Sequence, residues 1–271
     1  MGLHVIEEVS RFESDWWNGR LLIWEGPEQG ETYAIGVDPA EGAGQDRSVC
    51  EIIKVGNLYH PDVQVAEFAC DYLDPIYFAD VVNTIGRFYK DPEGTEAFAT
   101  IEFNAPCGDT MISDLCNRLS YTNQFIWKAY DRINNVYTNK YGWSTNKATR
   151  PKIIARGLHA FGVGDLVVNS PFVIDEMEDF ARDHFVAKAK ARHGTHDDRL
   201  MALLIGYWGA HDDEFLNGED IGEQRRMRIA AGEIQQEMIK EVTAKKKADF
   251  QNTAITYRQM QERANEMFEM D

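Results

Sequence analysis

Three acidic stations in this chain each fall where an apolar run ends or a helix begins. The first is Asp38, in Tyr33-Ala34-Ile35-Gly36-Val37-Asp38-Pro39-Ala40. The second is Glu102, in Ala99-Thr100-Ile101-Glu102-Phe103-Asn104. The third is the pair Asp197-Asp198, in Gly194-Thr195-His196-Asp197-Asp198-Arg199-Leu200-Met201-Ala202-Leu203. A fold that brought these carboxylates together would build an acidic cage. Like charges that close cannot all stay ionised without a cation, so the natural occupant is Mg²⁺ or Mn²⁺, hard ions that prefer oxygen ligands. Two such ions can clamp the attacking and leaving oxygens of a phosphodiester. Each acid alone also has an ordinary structural reading. Asp before Pro is a common turn, and Asp at a helix start is a common N-cap. The order strand-Asp, strand-Glu, Asp-Asp-helix is much harder to obtain by accident.

The hydrophobic pattern arranges the rest of the chain around these stations. Residues 33–37 read as a buried strand, and 39–46, with Gly42 and Gly44, as a tight turn. Residues 49–55 and 63–69 read as two more strands joined at Gly56-Asn57, which gives an antiparallel meander. Asp74 caps a helix that starts at Pro75 and runs to about Tyr89. Residues 97–101 are the fourth strand and deliver Glu102; 108–119 are a helix, 124–127 a fifth strand, and 130–148 a long loop rich in Asn, Tyr and Gly. Residues 149–161 form a helix with Pro151 in its first turn, 165–168 a short strand or extended piece, and 171–182 an acidic helix. Residues 185–193 are a basic extended segment, and 197–209 an apolar helix. The expected fold is therefore α/β, a mixed five-stranded sheet flanked by helices. Asp after strand one, an acid after strand four and a last acid on a late helix is the layout of the ribonuclease H-like fold. Strands one and four are neighbours there, so their acids can meet.

Three regions are expected: a lead-in segment at 1–30, the ribonuclease H-like domain at 31–211 and a helical C-terminal extension at 212–271, where aromatics become rare. The net charge of -17 argues against a simple basic nucleic-acid binder. It leaves room for an enzyme that cuts nucleic acid, which needs carboxylates at its centre, a bound metal and only a local basic track. No run of ~18 apolar residues suggests a membrane span. Met1-Gly2-Leu3-His4 lacks the features of a signal peptide. Cys50, Cys70, Cys107 and Cys116 include no C-x-x-C pair and read as reduced thiols.

At these residues the chain resembles the nuclease domain of a tailed-phage terminase large subunit. Residues 33–40 followed by Gly42, Gly44, Asp46 and Ser48 resemble that family's first acidic strand and turn. Glu102-Phe103-Asn104 resembles the second acid, and Thr149-Arg150-Pro151-Lys152 leading to Gly194-Thr195-His196-Asp197-Asp198 resembles the closing segment. The resemblance covers about residues 20–210. It implies a metal-dependent endonuclease that uses two Mg²⁺ or Mn²⁺ ions to cut concatemeric viral DNA during genome packaging. The implied partners are double-stranded DNA, a packaging ATPase domain, a portal and a small terminase subunit. The implied location is the cytoplasm of the infected host cell. A complete large subunit also carries an N-terminal ATPase, but no G-x-x-x-x-G-K-[ST] loop occurs here. The chain is therefore expected to be an isolated nuclease domain or a stand-alone relative.

Within that resemblance Asp38 is expected to bridge both metals and Glu102 to hold one. Asp198 is the expected direct ligand and Asp197 its helper. Adjacent residues at a helix start point about 100° apart, so both need not reach one ion, and either can simply cap the helix. His196 can orient a water or contact phosphate, or be a solvated loop residue. Asn104 can position DNA or Glu102. Asp46 can contribute at the rim or bond its own turn. Lys188, Lys190 and Arg192 alternate along one face, either as a phosphate track or as a solvated edge strand. Lys147, Arg150 and Lys152 form a second basic cluster beside Tyr141 and Trp143. Alternatives on the same residues are a junction resolvase or transposase-like nuclease and a non-catalytic packaging docking module. An actin-like ATPase would need a second phosphate-binding glycine loop, which the sequence lacks. The turn at Gly42 and Gly44 leads into a strand, whereas a nucleotide loop would lead into a helix. No G-x-S-x-G nucleophile motif occurs.

Overall fold

A computed structural model of the chain describes residues 12, 15–44, 46–57, 60–103, 106–131, 135–185 and 197–212. A short strand, β1 (Leu21–Ile23), precedes the expected meander of β2 (Tyr33–Asp38), β3 (Ser48–Lys54) and β4 (Asp62–Cys70), whose neighbours pair antiparallel. Helix α1 (Pro75–Phe88) starts as the sequence predicts. The Asp74 carboxylate accepts the Ile76 and Tyr77 N–H groups at 2.9 and 3.3 Å, and proline fills the first turn. Strand β5 (Phe98–Ile101) then returns parallel to β2. Next come α2 (Cys107–Asn117), a hairpin of β6 (Ile126–Asp131) and β7 (Val136–Tyr141), and α3 (Arg150–Val163). Strand β8 (Leu166–Val167), α4 (Pro171–Phe185) and α5 (Asp198–Ala210) follow.

The main sheet runs β1-β4-β3-β2-β5, with β8 parallel to β4. β1 and β8 divide the outer edge of β4 between them, one against Ala66, Glu67 and Phe68, the other against Asp62 and Val63. The meander and its parallel neighbour reproduce the ribonuclease H-like order, with the strands that carry Asp38 and Glu102 side by side. Two details differ from the sequence reading. The segment expected as a fifth strand touches the sheet at Gln124, bridged to Ala99, and at Phe125, whose N–H donates to Ala99 O at 2.8 Å. It then departs into the hairpin, whose second arm takes up residues expected as loop. The alternation in Val136-Tyr137-Thr138-Asn139-Lys140-Tyr141 suits a strand, and its Asn and Tyr content masked that pattern. Phe185 closes α4, so it is helical and does not open an extended segment. The rest of that basic segment and the C-terminal extension from residue 213 lie outside the described residues, as do residues 1–11, 13 and 14 of the N-terminal lead-in. Among the described residues no helix is long and apolar enough to cross a membrane.

Both faces of the sheet are covered, which is why β2 is buried through its whole apolar run. One face carries Tyr33, Ile35, Val37, Cys50 and Ile52 against Phe78, Val82, Ile85 and Phe88 of α1. The other is packed by α5. Small residues at Gly36 of β2 and Gly206 of α5 set that packing. A Cβ on Gly36 would lie 1.9 Å from Ala202 O and 2.5 Å from Gly206 N, and one on Gly206 would lie 2.6 Å from Gly36 N. Helix and strand therefore meet backbone to backbone. Ordinary overpacking costs about 1–3 kcal/mol. Gly36→Ala should cost at least that, because the obstructing atoms are main chain and cannot swing aside. Urea unfolding measures it; a loss below about 0.5 kcal/mol, the scale of a neutral surface change, would mean the helix lifts off freely.

Candidate active site

The parallel pairing of β2 with β5 puts the ends of both strands at one edge of the sheet. Asp38 is the last residue of β2, and Glu102 follows β5. Glu102 is fixed from two sides. Its N–H donates to Val37 O at 2.8 Å, and its backbone bridges to Trp143. The residue is 4% exposed. α5 begins over the same edge, with Asp197 at its N-cap position and Asp198 in its first turn, where the helix dipole favours an acid. Asp38, Glu102, Asp197 and Asp198 thus line a single cleft of about 380 Å³, together with Asp46, Arg47, Thr145 and Arg150.

The charges in this cleft are unbalanced. Burial first, then repulsion from Glu102 and a shared hydrogen bond with it, then Asp198 and Asp197, push the Asp38 carboxyl well above the ordinary carboxylate range. The last two acids diverge, as adjacent positions at a helix start must. Asp197 forms an ion pair with Arg150 of α3. Asp198 Oδ2 accepts the backbone N–H of Arg47 at 3.1 Å. Asp197 makes no side-chain capping bond to its own helix. Glu176 of α4 does so instead, accepting the Leu200 N–H on Oε2 at 2.9 Å.

The donor chemistry suits a hard divalent ion. Carboxylate oxygens dominate the cleft, the ligand type that hard divalent ions prefer. Among the described residues no three His, Cys, Asp or Glu side chains converge as a ready-made metal cage. The geometry gives the reason: Asp197 and Asp198 are each turned toward a positive or N–H partner supplied by the chain.

The other residues singled out from the sequence fall into three groups. Asp46 lies on the exposed rim of the cleft, and Arg150 lies inside it, engaged with Asp197. Lys147 and Lys152 are exposed and do not line it. Asn104, His196, Lys188, Lys190 and Arg192 lie outside the described residues. The structure adds participants that the sequence reading missed. Arg47 acts through its backbone N–H, which leaves no mark in sequence. Thr145 has a buried hydroxyl with no hydrogen-bond partner among the described residues. Arg199 sits directly beside the acidic pair, yet only its distant partners Glu67 and Glu176 reveal its use.

No protein-family model matches the chain, and no curated protein matches it. Among solved structures, terminase nucleases from a phage and a herpesvirus align with the chain. The large terminase nuclease of thermophilic phage G20c with bound magnesium aligns at 16% identity and a TM-score of 0.48, over 70% of this chain and 87% of that one. The same nuclease with bound cobalt aligns at 18% identity and 0.48, again over 70% and 87%. The manganese-soaked human cytomegalovirus terminase nuclease domain aligns at 10% identity and 0.41, over 77% and 94%.

The carboxyl that caps α5 gives a pH test of the site's supports. Burial pushes Glu176 up to about 7, with Asp198 and Asp197 adding to the rise, against the opposing pull of Leu200 N–H and Arg199. The folded protein then holds this proton more tightly than the unfolded chain does. Its contribution to stability is complete below the ordinary value of 4.5 and is lost as pH rises through about 7. Glu176→Gln should remove that fall, flattening the stability profile by on the order of 2–3 kcal/mol between about pH 4.5 and pH 8. Urea unfolding across that range measures it. Parallel profiles for the two proteins would show that Glu176 is not held protonated.

Proposed function

We propose that this chain is a metal-dependent endonuclease that hydrolyses DNA phosphodiester bonds during viral genome packaging. The observation that carries the reading is the convergence of Asp38, Glu102, Asp197 and Asp198 on one cleft. Burial first, and then the repulsion among these acids, raises the Asp38 carboxyl well above its ordinary range. A cleft of that kind gains most from added positive charge. The packaging setting follows from the resemblance of the acidic motifs to terminase nucleases.

Asp38, Glu102 and Asp198 would hold Mg²⁺ or Mn²⁺, with two ions the natural complement for this many carboxylates and Asp197 at their side. When bound, such ions supply Lewis-acid stabilisation of the charge that develops on phosphodiester oxygens. Glu102, fixed by its backbone and nearly buried, presents its carboxylate with little freedom to lose. Arg150, once Asp197 turns to a cation, is free to pair with a phosphate oxygen, a geometry that guanidinium suits. The Thr145 hydroxyl is a donor in the same cleft. Lys147 and Lys152, which flank Arg150 in sequence and lie outside the cleft, would extend this contact, and Lys188, Lys190 and Arg192 would continue the track. The packaging ATPase domain, portal and small terminase subunit are the proposed partners.

With Mg²⁺ or Mn²⁺ the chain should nick plasmid and linear double-stranded DNA with little sequence preference, since phosphate contacts carry no sequence code. Nicking should weaken steeply as salt rises. Asp38→Asn and Glu102→Gln should each lower the rate by roughly 10²–10³ or more, the scale of losing an electrostatic anchor at the reacting centre. Gel assays of nicked and linear product decide the point. Metal-replete protein that leaves every DNA form intact would turn the reading toward a docking module, and a strong preference for branched DNA would turn it toward a resolvase.

Cation binding can be read without activity. An ion that binds only the folded state at 100 times its dissociation constant adds about 2.7 kcal/mol. Mn²⁺ should therefore raise the melting temperature by several degrees. Asp38→Asn should abolish most of that rise while leaving the metal-free protein at least as stable, because it removes a repelled charge. Asp46→Asn should change neither. Calorimetry with and without Mn²⁺ checks this, and an unaltered Mn²⁺ shift in Asp38→Asn would remove Asp38 from the cation site.

A further inference from the structure

The first turn of an α-helix leaves backbone N–H groups without intrahelical acceptors, and the N-cap side chain ordinarily answers one of them. α5 is built differently. Asp197 holds the N-cap position, makes no capping bond and directs its carboxylate to Arg150. The acceptor comes from a second helix, as Glu176 Oε2 takes the Leu200 N–H at 2.9 Å. Arg199, the residue between, does not line the cleft. Its Nε donates to Glu67 Oε1 of β4 at 2.8 Å, its Nη1 lies 3.7 Å from Glu176 Oε1, and its guanidinium sits 4.8 Å from the Phe172 ring centroid. These groups are well buried, with side-chain exposures of 13% for Arg199, 10% for Glu176 and 2% for Glu67. Glu67 is held in turn by the Ser170 hydroxyl. The two residues that follow Asp197-Asp198 are thus clamped to the sheet and to α4.

We propose that Glu176 and Arg199 are positioning residues for the acidic cleft: they cap and anchor the start of α5 from outside, which frees Asp197 from capping and holds Asp197 and Asp198 at the cleft that Asp38 and Glu102 line. This role presupposes that the cleft binds a divalent cation, as proposed above. Without the Glu176 carboxylate, the acceptor nearest at hand for the first turn is Asp197 itself, and a capping Asp197 is withdrawn from the cleft.

The test compares Glu176→Ala with Glu176→Gln in the full chain. Glutamine keeps a carbonyl oxygen for the Leu200 N–H, and alanine keeps nothing. In Glu176→Ala the Leu200 amide should exchange faster with solvent. The Mn²⁺ concentration at the midpoint of the thermal shift should rise about tenfold, and kcat for nicking should fall about tenfold, the usual scale for residues that orient metal ligands. KM for DNA should stay within about twofold, because no phosphate contact is removed. Glutamine should restore the amide protection and most of the Mn²⁺ midpoint and kcat. Arg199→Lys keeps the charge but loses the guanidinium geometry, and it should show the same loss confined to kcat and the Mn²⁺ midpoint, by a few-fold. Unchanged Leu200 exchange in Glu176→Ala overturns the role. So does faster exchange with a wild-type Mn²⁺ midpoint and kcat, and so does a glutamine variant no better than alanine. If the alanine variant does not fold, Glu176→Asp, one methylene short of the amide, is held to the same outcomes. A wild-type chain with neither an Mn²⁺ shift nor nicking would sink the cation-site reading first. The capping contact would then stand or fall on Leu200 exchange alone.

Discussion

The backbone contact between α5 and β2 is the constraint on which the cleft depends. Aspartate is a short side chain, and three of the four clustered acids are aspartates. Their carboxylates share a cleft only if the start of the helix lies close to the end of the strand. Gly36 and Gly206 allow that approach, since a methyl group on either would collide with main-chain atoms of the other element. The one glutamate of the set, Glu102, stands just past the end of the neighbouring strand β5. The reach of each acid thus follows from the element that carries it, and the spacing of those elements follows from two missing side chains.

Closeness has an electrostatic cost, and the chain offsets it locally. The Asp38 carboxyl is raised well above its ordinary range, Asp197 pairs with Arg150, and Asp198 accepts a backbone N–H. Behind the cleft a second acidic cluster repeats the problem inside the protein. Glu51 and Glu67 are cross-strand partners on β3 and β4, both buried. Gln64 donates to Glu51 at 2.6 Å, Ser170 and Arg199 bond Glu67, and burial still raises the Glu51 carboxyl well above its ordinary range. Buried charges with so few counter-charges weaken a fold and persist where they hold something in place. Here Glu67 fixes Arg199, one residue beyond Asp198. A chain of net charge -17 can still present a phosphate-binding centre if cations reverse the sign inside this one cleft.

What the sequence made legible was local. The strands of the meander, β5 and the helices announced themselves through apolar runs, an Asp-Pro start and turn glycines. The four acids stood out because each sits at the end of such a run, where period and punctuation are clearest. The unreadable parts are contacts between positions far apart in the chain. Nothing near Glu176 marks it as the cap of a helix more than twenty residues later, and Glu67 looks like any polar interruption of a strand. Arg150 was legible as a basic residue near the site, but its pairing with Asp197 was not. The hairpin was obscured because β6 begins inside a run that also suits the main sheet, and its bridge at Gln124 follows that expectation for one residue before the chain leaves.

The two faces of the sheet divide the work of stability and function. The face toward α1 is closed by interlocked aromatic rings, among them Phe12 edge-on to Phe88, Phe68 stacked on Phe78, and Tyr33 against Tyr89. Such contacts are non-ionic and do not depend on what occupies the cleft. They hold β2 in register with its neighbours and so keep Asp38 beside Glu102 even when the acids repel each other. The opposite face carries the glycine contact, the buried acids and Arg199, all sensitive to charge and to small displacements. An acidic cleft that must tolerate its own repulsion needs a frame whose stability comes from elsewhere, and in this chain the aromatic face of the same sheet provides it.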